Sequence, residues 1–222
     1  MRYSIEGGSL PVLIVRLDPG EKLISEVGGR TWCKGDVVTE TTGGGGGALG
    51  RMITGESLFL STYTAQNQAE IVFTSSFPGS IVARELAPGE SVIAQKTAFL
   101  CASSGVQLSL QANKKLSSGL LGGEGFIMQK VTGPGIAFFE IDGFCKEYDL
   151  APGERIVCDT GIMALMDETA TMDVEAVKGL KNKLLGGEGL FDTVLTGPGK
   201  VYLQSMTLPK IAQLIMPYLT KR

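Results

Sequence analysis

The chain has 222 residues, 43 % hydrophobic and 19 % charged, the balance of a soluble globular protein with enough material for a sizeable core. Its 20 basic and 23 acidic side chains leave a net charge of −3 with no long run of either sign, which argues against charge-driven binding to nucleic acid or to an anionic membrane. Histidine is absent, and with it the Ser-His-Asp and Cys-His nucleophile pairs and the His-containing zinc sites, including the metal site of most cupin enzymes.

Residues Met1 to Gly8 show neither the apolar core of a signal peptide nor the Arg/Ser-rich character of a transit peptide, and no apolar run reaches the roughly 18 residues that a membrane span needs. A cytoplasmic, reduced protein is expected. Four cysteines, Cys33, Cys101, Cys145 and Cys158, lack any C-x-x-C spacing. Cys101 lies in the apolar run Ala98 to Ala102 and reads as a buried free thiol.

Self-similarity organises the rest. Leu17-Asp18-Pro19-Gly20-Glu21, Leu86-Ala87-Pro88-Gly89-Glu90 and Leu150-Ala151-Pro152-Gly153-Glu154 are versions of one pentapeptide, 69 and then 64 residues apart. Proline presets φ at the first central position of a turn and glycine supplies the positive φ of a type II turn at the second. A Gly-Glu step follows 38, 37 and 37 residues after each opening leucine, at Gly55-Glu56, Gly123-Glu124 and Gly187-Glu188. The last two copies also share Leu-Leu-Gly-Gly-Glu-Gly, at 120–125 and 184–189, and Thr-Gly-Pro-Gly, at 132–135 and 196–199. In the first copy Phe77-Pro78-Gly79 is taken as the counterpart of that Gly-Pro-Gly turn.

After each Pro-Gly-Glu turn comes an apolar stretch, around Trp32-Cys33, from Ala98 to Ala102 and from Ile162 to Met166. Alternating strands follow, as in Val106 to Gln111 and Met172 to Ala176, then a Gly/Lys-rich loop, the Gly-Glu step and a closing hairpin. Short strands at regular spacing and 31 glycines predict an all-β sandwich or barrel. Repeats of about 1–84, 85–148 and 149–207 make up a single domain over 1–222, with a tail at 208–222. That tail has apolar residues at helical spacing after Pro209 and predicts a short helix that stops or kinks before Pro217. It reads as a lid on the sheets or on a neighbouring subunit, with a membrane-surface anchor as the alternative.

These segments identify the chain as resembling the AIM24 family, over nearly its whole length. The resemblance rests on Leu17 to Glu21, on Gly43 through Ser57, on Phe77-Pro78-Gly79 and on the paired Leu-Leu-Gly-Gly-Glu-Gly and Thr-Gly-Pro-Gly segments. It implies a TRAP-like double-stranded β-helix, a jelly-roll-like sandwich. It implies no reaction, no cofactor and no catalytic residue, because the family has none established. The membrane-organising role of its mitochondrial member does not transfer to a chain without a transit peptide.

Glu56, Glu124 and Glu188 are the candidate ligand-binding residues, because threefold pseudo-symmetry could bring three carboxylates to one axis, where they would bind a hard cation such as Ca²⁺. The simpler reading is that each satisfies backbone N–H groups of its own Gly-rich turn. Glu21, Glu90 and Glu154 read as solvated loop-tip residues. Gly45, Gly47 and Gly50 match G-x-G-x-x-G without the βαβ context of a dinucleotide site. Arg51, Lys114, Lys115, Lys178, Lys181 and Lys183 line the loops before the Gly-Glu steps and solvate one rim, with an anion or lipid headgroup site as the sharper reading. The expectation is a non-enzymatic structural or interaction protein, a homo-oligomer with a trimer as first choice, showing that rim to a protein partner. A small-molecule or metal-ion binding module is the alternative, and a peripheral membrane protein the remote one.

Overall fold

The computed structural model describes residues 1–43, 59–111, 127–176 and 191–219. After β1 (Arg2–Glu6) come β2 (Val12–Leu17), β3 (Lys22–Glu26), β4 (Trp32–Lys34), β5 (Val37–Gly43), β6 (Phe59–Ala65) and β7 (Ala69–Thr74). The next six are β8 (Gly79–Leu86), β9 (Ser91–Gln95), β10 (Phe99–Ser103), β11 (Gln107–Gln111), β12 (Met128–Thr132) and β13 (Gly135–Asp142). The last six are β14 (Cys145–Leu150), β15 (Arg155–Asp159), β16 (Met163–Asp167), β17 (Thr171–Ala176), β18 (Phe191–Thr196) and β19 (Gly199–Gln204). A single 3-10 turn at Lys96–Ala98 precedes β10, and a helix, α1 (Leu208–Leu219), ends the described chain, so the described residues are all-β with a short C-terminal helix, as the sequence predicts.

The chain forms two compact units, one of Met1–Ala112 with Ile127–Glu140 and one that includes Ile141–Arg222. In the first, a four-stranded sheet in the order β1-β2-β7-β4 faces a six-stranded sheet in the order β5-β6-β3-β10-β13-β8. Period-two alternation makes this work: Leu13, Val15 and Leu17 of β2 point inward while Arg16 between them stays exposed. They join Ile71 and Phe73 of β7, and across the interface Leu23, Tyr63, Leu100, Cys101 and Phe138, in one buried cluster. Tyr63 and Phe73 meet edge to face with centroids 6.2 Å apart. A sandwich core of this kind draws its stability from area removed from water, about 1.5–3 kcal/mol for each large side chain fully buried. The same unit carries the antiparallel run β11-β12-β9. The second unit holds β14-β19-β16 and the three-stranded sheet β15-β18-β17.

The apolar stretches after the three turns are not alike, and three expectations about other elements, the stop at Pro217, the closing hairpin and its first-copy counterpart, are corrected. Trp32 and Cys33 do not belong to the core: β4 has only β7 beside it, at the edge of its sheet, and Trp32 is 48 % exposed, whereas Phe99 to Ala102 of β10 and Met163 to Met166 of β16 are buried. The helix runs through Pro217 to Leu219 instead of stopping before it. Pro217 removes one N–H near the helix end, and Gln213, whose carbonyl loses that bond, is exposed. No closing hairpin forms: β6 and β7, β12 and β13, and β18 and β19 belong to different sheets, so each Gly-Pro-Gly is a turn from one sheet to another, and its counterpart in the first copy is Gln66-Asn67-Gln68, between β6 and β7. Phe77-Pro78-Gly79 lies instead where the chain passes from β7 into β8.

Candidate functional site

The candidate residues Glu56, Glu124 and Glu188 lie outside the described residues, as do Gly45, Gly47, Gly50, Arg51, Lys114, Lys115, Lys178, Lys181 and Lys183. The structure shows the strand pairs from which these segments spring. β5 and β6 pair from Val37↔Ala65 to Gly43↔Phe59, β11 and β12 from Gln107↔Thr132 to Gln111↔Met128, and β17 and β18 from Thr171↔Thr196 to Ala176↔Phe191. The inner strand of each pair also bonds a third strand, β3, β9 and β15 respectively. Each Gly-Glu segment therefore rises from the same kind of three-stranded ribbon.

A different set of glutamates holds built positions. β2 turns into β3 at Asp18–Glu21, where Gly20 has φ +85° and the Glu21 N–H donates to the Asp18 carbonyl at 3.0 Å, the type II turn that Pro-Gly predicts. The Asp18 N–H in turn donates to Glu21 Oε2 at 2.9 Å. The pattern recurs where the Ala87 N–H meets Glu90 Oε2 at 2.9 Å and the Ala151 N–H meets Glu154 Oε2 at 2.8 Å. These carboxylates are not merely solvated loop tips: each folds back onto the N–H that opens its own turn. The sequence carried the signal as an acidic acceptor at a fixed offset from the turn in all three copies.

Their charged surroundings differ. The Met1 ammonium is hydrogen-bonded to Glu21 Oε1, and this contact together with the Asp18 N–H holds the Glu21 carboxyl below its ordinary range, against the opposing effect of burial. Arg84 Nη2 lies 3.7 Å from Glu90 Oε1. Carboxylates committed in this way are acceptors already in use, not free bases.

The thiols are no better placed for nucleophilic work. Burial raises the Cys101 thiol well above its ordinary value, and burial with Glu147 nearby raises Cys145. Burial, then Asp159 and Asp192, push Cys158 up to about 11. All four cysteines are free, and Cys33 alone is exposed. Among the described residues no three His, Cys, Asp or Glu side chains converge as metal ligands would.

Other polar contacts are latches. Thr74 Oγ1 sits 3.0 Å from Thr31 Oγ1 at the end of β7. Glu140 of β13 accepts from the Ser76 N–H at 2.6 Å and the Ser76 hydroxyl at 3.1 Å. Gln204 of β19 donates to the Gly161 carbonyl at 2.7 Å and accepts from the Asp142 N–H at 3.2 Å. The chemistry differs, but each latch ties a strand end to a neighbouring loop.

Residues 3–206 match the family model described as "Mitochondrial biogenesis AIM24". An uncharacterised protein of Streptococcus pyogenes serotype M6 is 26 % identical over 230 residues, covering 99 % of this chain and 91 % of the relative. The crystal structure of protein SPYM3_0169 of Streptococcus pyogenes superposes with a TM-score of 0.78 at 22 % identity, over 98 % of this chain and 99 % of that one, which shows a shared fold.

Proposed function

The chain belongs to the mitochondrial biogenesis AIM24 family, and from that premise we propose that it is a non-enzymatic structural protein of the cytoplasm that works as a homo-oligomer. In this reading three diverged repeats on the TRAP-like plan pair edge to edge and show their Gly/Lys-rich rim to a protein partner. Support for the repeat plan comes from strand order. The trio β2-β7-β4 has its like in β8-β13-β10 and β14-β19-β16, and the trio β3-β6-β5 has its like in β9-β12-β11 and β15-β18-β17.

One observation carries the self-association. β3 is bonded to β6 on one side and to β10 on the other, whereas β15, which holds the same place beside β18, forms the edge of its sheet with Val157 59 % exposed. An open edge of five residues is a template for another strand. β4 relates to β7 as β10 does to β13, and it too is an edge, so β4 of a second copy is the matching strand. A head-to-tail contact of that kind closes into a ring if its rotation allows, the trimer being the smallest ring above a dimer. The raised thiols, the committed turn glutamates and the absence of histidine support a role without covalent or acid–base catalysis. Light scattering at micromolar concentration should give a multiple of 23.4 kDa, and Val157→Pro should reduce it to one chain. A strict monomer in the unmodified protein sinks the self-association.

A further inference from the structure

The apolar residues of the tail helix have found no core. None of the residues in α1 is buried; Leu214, Met216, Tyr218 and Leu219 are 68 %, 59 %, 81 % and 72 % exposed. The helix is nonetheless properly begun: Thr207 Oγ1 accepts from the Lys210 N–H at 3.4 Å, and the Thr207 carbonyl from the Ile211 N–H at 3.1 Å. At 3.6 residues per turn Pro209, Lys210, Gln213 and Pro217 share one narrow face, and Leu208, Ile211, Ala212, Leu214, Ile215, Met216, Tyr218 and Leu219 cover roughly 200° of the circumference.

That arc is much wider than the seam by which one helix pairs with another. Charge narrows the choice of occupant. From Met206 to Arg222 the sequence has three cations, Lys210, Lys221 and Arg222, and no anion, in a chain whose net charge is −3. Lys210 stands in the first helical turn, where a cation opposes the helix dipole, so helix stability does not account for it. Cations flanking a wide apolar arc can reach up to headgroups while the arc sits among acyl chains. Twelve residues rise only about 18 Å, too little to cross a hydrocarbon core of about 30 Å.

We propose that α1 lies flat on an anionic lipid surface, Lys210 toward the headgroups and Leu214, Ile215 and Tyr218 in the acyl boundary, and so tethers the protein to a membrane. The acidic remainder of the chain is repelled by the same surface, which leaves the helix as the contact. This does not depend on the strand-edge assembly.

Flotation of the full chain with vesicles of phosphatidylcholine alone, and with about one-third phosphatidylglycerol, tests it. Recovery with the anionic vesicles should exceed that with neutral ones by about tenfold and fall at high salt. The double variant Leu214→Glu, Ile215→Glu should lose flotation with its melting temperature unchanged, since neither side chain is buried. Lys210→Glu should weaken it in part. Failure of the unmodified chain to float, equal flotation on neutral vesicles, or flotation that survives the double variant overturns the proposal. So does a double variant that drops to a smaller oligomer while the parent ignores lipid, because the arc is then covered by a second copy.

Discussion

The turn between β6 and β7 and the two later ones, from β12 to β13 and from β18 to β19, each carry the chain from one sheet to another and reach the same contact by different routes. In each the residue that ends the first strand or follows it donates to the glutamate carbonyl of a Pro-Gly-Glu turn: Ala65 to Glu21 at 3.1 Å, Gly133 to Glu90 at 2.9 Å and Gly197 to Glu154 at 3.0 Å. The later two use Gly-Pro pairs with cis peptide bonds, and the first uses Gln66-Asn67-Gln68 with none. A Cβ on Gly133 or Gly197 would come within 2.5 Å of the Ala87 or Ala151 carbonyl oxygen, yet Ala65 holds its methyl with 1 % exposure. The Pro-Gly-Glu turn and its backbone acceptor recur, while the space around the donor is local to each connection.

Substitution should expose that difference most at the donors. Gly133→Ala and Gly197→Ala are each expected to cost about 2–3 kcal/mol, because the obstructing atoms are backbone, whereas Ala65→Gly should cost about 1 kcal/mol. Thermal unfolding measures both, and equal losses would show that the three connections do not differ in this way. Next come the turn glycines. Gly20, Gly89 and Gly153 have φ of +85°, +80° and +81° with nothing within 4 Å of an added Cβ, so alanine there should cost only the left-handed backbone strain, about 1 kcal/mol, alike in all three turns.

The smallest effect separates the carboxylates. Removing the acceptor by Glu90→Ala or Glu154→Ala should cost about 0.5–1 kcal/mol or less, water being at hand for the exposed N–H. Glu21 adds a pH dependence. Its carboxyl is held below the ordinary range in the folded state, so its contribution is present above the unfolded carboxylate value of about 4.5 and is lost as pH falls through the lower folded value. Melting temperatures of the parent and of Glu21→Gln should therefore converge as pH falls below that range. A constant gap would mean that the Met1 ammonium contact carries no weight in solution.

The sequence made the strand plan legible wherever a turn is written in Pro and Gly. The three type II turns, β11 and β17 as alternating strands and the burial of β10 and β16 all follow from local chemistry. What it concealed depends on neighbours. Trp32 is as apolar as Phe99, but only the pairing order puts β4 at an edge and β10 inside its sheet. Phe77-Pro78-Gly79 looks like Gly-Pro-Gly, but the true counterpart is defined by a backbone hydrogen bond that no side chain announces, and a turn of this kind reads as a hairpin although it leads into another sheet. The candidate residues Glu56, Glu124 and Glu188 lie outside the described residues, and the turn-satisfying role weighed for them is seen at a different set, Glu21, Glu90 and Glu154.

The uneven placing of the four thiols gives the molecule a built-in gauge of its own unfolding. Cys33, within 3.5 Å of Arg30 Nη1 on the exposed strand β4, meets solvent in the folded state, whereas Cys101 lies in the sandwich core and Cys145 and Cys158 are half-buried with thiols less ready to ionise. An alkylating reagent would mark Cys33 first and Cys101 last. Counting labels on each chain would then separate a frayed edge from a breached core.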